Sequence, residues 1–106
     1  MVDKQKTIDK SVTVSGTGLH TGQLGQITMH SAPENHGIKF RRVDIESKPI
    51  IDADINLVVS TDRGTTLSKN GYSLYTIEHL LAAFMGLGVD NVMIDVDMEE
   101  IPIKDG

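Results

Sequence analysis

One stretch of this chain repeats its apolar residues at helical spacing, while the segments around it alternate. Between Thr76 and Gly88, the residues Ile77, Leu80, Leu81 and Phe84 fall at i, i+3, i+4 and i+7, which lines them along one face of an α-helix. The spacing predicts a helix from about Ile77 to Leu87, with Thr76 as its N-cap and Gly86 or Gly88 ending it. The flanking segments follow the two-residue period of strands with one buried face. Val12 and Val14 share a side over residues 10–15, Ile27 and Met29 over 26–30, and Ile38 and Phe40 over 38–43. Ile51, Ala53, Ile55 and Leu57 oppose Asp52, Asp54 and Asn56, as in an extended edge segment. Loop chemistry over 60–64 precedes an extended 65–67, and Asn70-Gly71 is a hairpin turn signal. Val92, Ile94, Val96 and Met98 then alternate with Met93, Asp95 and Asp97, and the residues from Glu99 leave the sheet.

Several hairpin strands, one helix and a returning strand predict an α+β fold: a mainly antiparallel sheet with one principal helix packed on one face. One helix is thin cover for about five strands. The chain, residues 1–106, therefore reads as a single domain cut short after Asp105-Gly106. Exposed apolar surface of that kind predicts self-association of this stretch alone.

Composition narrows the possibilities. The formal charge is -5 and no basic run exceeds Arg41-Arg42, so the basic face required for nucleic acid is missing. There are no cysteines, which excludes disulfides and thiolate metal sites and suits a reducing compartment. No apolar run is long enough to span a bilayer, and Met1 to Lys6 lacks the apolar core of a signal peptide. A cytoplasmic location is expected.

Glu78 and His79 crowd the predicted start of the helix. Free N–H groups and the positive end of the dipole favour a carboxylate there and disfavour a protonated imidazole. A neutral His beside an ionised Glu suits a metal ligand with an adjacent base; an ordinary helix start would look the same. Tyr75 and Ala83 lie one turn from His79, so any further ligands come from elsewhere in space. His30 on an exposed strand face and His36 in a turn read as surface histidines. His20 sits in Gly16-Thr17-Gly18-Leu19-His20-Thr21-Gly22, either as an exposed loop residue or as a group delivered to a cleft by glycine geometry. Those glycines precede a strand pattern rather than a helix, so they are not a phosphate cradle. Glu99, Glu100 and Asp105 read as an acidic rim, with Ile101-Pro102-Ile103 stiffening the approach to Asp105. From the residues alone, a metal hydrolase and a non-enzymatic module that recruits a partner both remain open.

Four blocks taken together carry a resemblance: the glycine-flanked segment 15–22, Thr76-Ile77-Glu78-His79-Leu80, Gly86-Leu87-Gly88-Val89-Asp90-Asn91 and Glu100-Ile101-Pro102-Ile103-Lys104-Asp105-Gly106. In this order and spacing the chain resembles the N-terminal part of the UDP-3-O-acyl-N-acetylglucosamine deacetylases (LpxC), zinc amidases of lipid A synthesis in Gram-negative bacteria. The resemblance implies two similar α+β domains with their helices between two sheets, the second domain lying beyond this chain. It implies that His79 is a zinc ligand, the other ligands being in the second domain, and that Glu78 is the general base. It further implies that His20 lines the sugar-nucleotide side of the cleft and that Asp105 supports the site. UDP-3-O-acyl-N-acetylglucosamine is the implied substrate and Zn²⁺ the implied cofactor. Lys104 departs from the apolar residue common in such relatives, and residues 62–66 are only loosely similar. On this reading, residues 1–106 alone have little activity and bind metal weakly; a zinc amidase with another substrate is the alternative.

Overall fold

The computed structural model describes residues 5–18, 21–54, 57–61 and 64–104. Its elements in chain order are β1 (Val12–Gly18), β2 (Leu24–Ser31), β3 (Ile38–Arg42), β4 (Ile50–Asp52), β5 (Val58–Thr61), β6 (Gly64–Lys69), β7 (Tyr72–Leu74), α1 (Glu78–Leu87), β8 (Val92–Val96) and β9 (Pro102–Lys104). Six strands form one sheet in the order β4-β3-β8-β2-β1-β9, and β5-β6-β7 form a second. All neighbours run antiparallel except β3 and β8. With one helix among the described residues, the class is α+β, as the alternation predicts.

In β2, β3 and β8 the buried apolar residues fall on the parity read from the sequence, whereas Val12 and Val14 of β1 stay 44% and 43% exposed. Ile27, Phe40, Ile51, Val92, Ile94 and Val96 from the large sheet meet Ile77 and Phe84 beside the helix and Leu67 and Leu74 from the small sheet. Burying one such side chain contributes about 1.5–3 kcal/mol, so this shared core holds the two sheets and α1 together. The sheets are also tied by Arg42, whose guanidinium pairs with Asp44 at 2.6 Å and reaches the carbonyl of Ser73 in β7 at 3.3 Å. The Asn70-Gly71 signal is a true hairpin turn between β6 and β7, with φ of 53° and 83° at the two residues. Positive φ at both positions matches the twist of the flanking strands.

Three details depart from the sequence expectations. Thr76 does not cap the helix: Ile77 occupies the N-cap without a side-chain bond. Thr76 is itself buried with φ 61°, and its hydroxyl donates to Glu100 instead. The other end behaves as expected, with Gly88 left-handed at φ 71° and the N–H of Val89 returning to the carbonyl of Phe84 at 2.9 Å.

The second departure follows Met98, where the chain does not leave the sheets. Tyr75 N–H donates to the carbonyl of Glu99 at 2.8 Å, Ile101 N–H donates to that of Tyr75 at 3.1 Å, and β9 then pairs with β1 at the sheet edge. An edge is where a strand tolerates proline. Third, the strand Val58–Thr61 takes in Ser60 and Thr61, expected as the start of a loop, and the extended run from Ile51 breaks after Asp52. Asp62 and Arg63 lie outside the described residues. No helix among the described residues is long and apolar enough to cross a membrane.

Candidate active site

The N-terminus of α1 meets the first residues of β6. Ile77 N–H donates to the carbonyl of Thr65 at 3.2 Å, which seats the helix start on that strand. Thr65 N–H in turn donates to Oε2 of Glu78 at 2.8 Å. The carboxylate reaches this donor because residue 64 is glycine: a Cβ there would stand 2.8 Å from Oε1 of Glu78. Gly64 also holds φ 89°, a backbone state that side chains resist. One strand end therefore fixes the orientation of the Glu78 carboxylate.

His79 lies next to it, with 67% of its side chain exposed against 38% for Glu78. Its Nδ1 is 3.9 Å from Oε1 of Glu78, too far for a hydrogen bond. The imidazole thus stands beside the carboxylate without being consumed by it. His79 also borders a cavity of about 240 Å³ walled by apolar residues, among them Val14, Ile27, Met29, Leu80 and Ile101. His79 thus stands at the rim of an apolar hollow between β1, β2 and α1, with Glu78 as its neighbour in the chain.

Behind the pair, Thr76 is held by Glu100. Oε2 of Glu100 accepts the Thr76 hydroxyl at 2.8 Å, and Oε1 accepts the N–H of Thr21 at 3.0 Å. Glu100 has 0% exposure, which corrects its reading as part of an acidic rim: it is a buried acceptor. Sequence reasoning missed it, yet a signal was present. Glu100 continues the inward parity of Val92, Ile94, Val96 and Met98, and a charge in an inward register needs buried donors.

Among the residues singled out from the sequence, Glu78 and His79 are brought together at one surface. His30 is not: it lies on the opposite sheet face, hydrogen-bonded to Asp95 at 2.8 Å and Ser11 at 3.1 Å. His36 stays in its turn, with Nδ1 2.9 Å from the carbonyl oxygen of Gly37. His20 and Asp105 lie outside the described residues. Among the described residues no three His, Asp or Glu side chains converge as a metal cage.

Comparison with known proteins adds to this geometry. The family profile of the UDP-3-O-acyl N-acetylglycosamine deacetylases (LpxC) matches residues 5–106. The chain is 50% identical over 103 residues to a bifunctional enzyme LpxC/FabZ of Bacteroides thetaiotaomicron, covering 97% of the chain and 22% of that protein. It is 47% identical over 103 residues to the UDP-3-O-acyl-N-acetylglucosamine deacetylase of Methylococcus capsulatus, covering 97% of the chain and 34% of that protein. With the enzyme of the same name from Wigglesworthia glossinidia brevipalpis the identity is 44% over 104 residues, or 97% of the chain and 35% of that protein. The chain spans about a third or less of the length of these curated relatives.

Proposed function

The chain belongs to the UDP-3-O-acyl N-acetylglycosamine deacetylase family, and from that premise we propose that it is the N-terminal domain of a zinc-dependent deacetylase. The complete protein hydrolyses the N-acetyl group of UDP-3-O-acyl-N-acetylglucosamine to acetate and a free 2-amine, a step of lipid A synthesis in the cytoplasm. The names of the relatives support the substrate, and the lack of cysteines suits the compartment.

The observation that carries this reading is the start of α1, where a carboxylate oriented by the Thr65 N–H stands beside an exposed imidazole. A protein zinc site takes three or four ligands, and the described residues offer one suitable imidazole, His79, with no three-ligand cluster. His79 fits as one ligand, and the others belong to the second domain. Zinc, when bound, lowers the pKa of water toward ~7 and polarises a carbonyl.

Glu78 is the base that takes the proton of the attacking water. With Oε2 held by the Thr65 N–H, Oε1 remains on the side of His79. The water oxygen bonds to the acetamide carbon, the C–N bond breaks, and the nitrogen leaves as the free amine with one proton, matching the one Glu78 took from the water, while the acyl group leaves as acetate. His20 lines the sugar-nucleotide side and Asp105 supports the site, roles taken from the family resemblance. The exposed outer face of α1, with Met85 79% and Leu87 72% accessible, supports a second domain packing there.

Glu78→Gln in the complete enzyme tests the reading. It is expected to lower kcat by about 10²–10⁴-fold, the usual worth of a positioned base, with zinc content unchanged. Undiminished turnover would refute the role.

A further inference from the structure

Glu100 is a carboxylate with no exposed surface, and none of the steps above uses it. Burying a carboxylate is costly unless donors replace its water. Its donors include two from separate parts of the chain: the backbone N–H of Thr21, in the glycine-flanked loop after β1, and the hydroxyl of Thr76. The chain makes room for it, because a Cβ on Gly18 would collide with Oε1. The backbone around Glu100 is pinned as well, through a parallel bridge between Tyr75 and Glu100 and the hydrogen bonds flanking it.

Thr76 is the informative partner. A β-branched residue at φ 61° is held in a sparsely populated conformation, which persists only where surrounding contacts over-determine it. Its hydroxyl bond to Glu100 is one such contact. Two residues further on comes Glu78, then His79, with only Ile77 between Thr76 and the pair. The left-handed turn at Thr76 therefore sets the direction in which both side chains enter the site.

We infer that Glu100 is a positioning residue for the deacetylation: anchored by Thr21, it holds the Thr76 turn and through it the aim of Glu78 and His79. The inference rests on the deacetylase reading given above.

The test compares the complete enzyme with Glu100→Gln, Thr76→Val and Thr76→Ser, measuring kcat, KM, zinc content and thermal midpoint. A misplacement of ~1 Å costs about 10²-fold, so a loosened turn is expected to lower kcat ~10-fold in the Gln and Val variants. KM is expected to stay within about twofold, because the loss falls on the chemical step. Thr76→Ser keeps the hydroxyl and is expected to restore kcat to within about threefold of the parent. Should Glu100→Gln fail to fold, the Val and Ser variants decide the matter alone. Unchanged kcat in the folded Gln and Val variants would overturn the inference, as would a Ser variant as impaired as the Val one. A parent enzyme without deacetylase activity would overturn the functional reading and this inference together. An active parent with unaffected variants would overturn this inference alone.

Discussion

Asp95 organises the outer face of the large sheet. Arg41 donates to it twice, from Nε at 2.6 Å and from a terminal nitrogen at 3.0 Å, and His30 Nε2 lies 2.8 Å away. A carboxylate only accepts, so Nε2 of His30 carries the proton toward Asp95, and Nδ1 lies 3.1 Å from the Ser11 hydroxyl. Burial works to raise the Asp95 carboxyl, but the hydrogen bonds and charges of Arg41 and His30 outweigh it and hold the group below its ordinary value. A lowered carboxylate adds stability above its unfolded value and loses it as pH falls through the folded one. Asp95→Asn is therefore expected to cost about 1 kcal/mol at neutral pH, modest because Arg41 and His30 are each more than a third exposed. The gap to the parent should close in acid, below the ordinary carboxylate range; urea titrations across pH check this, and a gap independent of pH would contradict it. The same scale shows what the sequence reveals. Glu78 and His79 are legible as a pair because they are neighbours, and Asp95 is legible as outward-facing from its parity. The role of Glu100 is not, because its donors lie 79 and 24 residues away.

The joint between β6 and α1 is the element on which the site depends. Gly64 serves it by leaving space for the Glu78 carboxylate and by accepting φ 89°. In Gly64→Ala the new methyl meets the end of a flexible side chain, so the carboxylate yields and loses the Thr65 N–H. The variant is expected to lose about 1–3 kcal/mol from backbone strain and, in the complete enzyme, about tenfold in kcat from the misaimed base. Calorimetry and steady-state kinetics check the two effects; full activity would show that the Thr65 bond does not orient Glu78. At this scale α1, β2, β3, β8 and the β6–β7 turn are readable, because local period and turn chemistry specify them. The division into two sheets is not, since alternation gives a strand its faces without naming its partners. β9 escapes for the same reason: Ile101-Pro102-Ile103 looks like an exit until it pairs with β1, far away in sequence.

At the scale of the chain, a single helix among the described residues lies on the sheets, with Met85 and Leu87 turned outward. The chain spans 22% to 35% of its relatives' lengths. The catalytic centre proposed here is accordingly divided, this domain giving the base and one ligand and the other domain the remaining ligands. Fold class was legible because one helical stripe among alternating segments admits few architectures. Completion of the proposed metal site was not, since no three-ligand cluster is found among the described residues. The most direct measurement is a zinc titration of three proteins: the complete polypeptide, its His79→Ala variant, and residues 1–106 alone. The divided centre predicts about one tightly held zinc in the complete protein and weak binding in the other two, because a lasting site takes three or four ligands. Tight zinc in residues 1–106, or undiminished zinc in the His79→Ala protein, would contradict it.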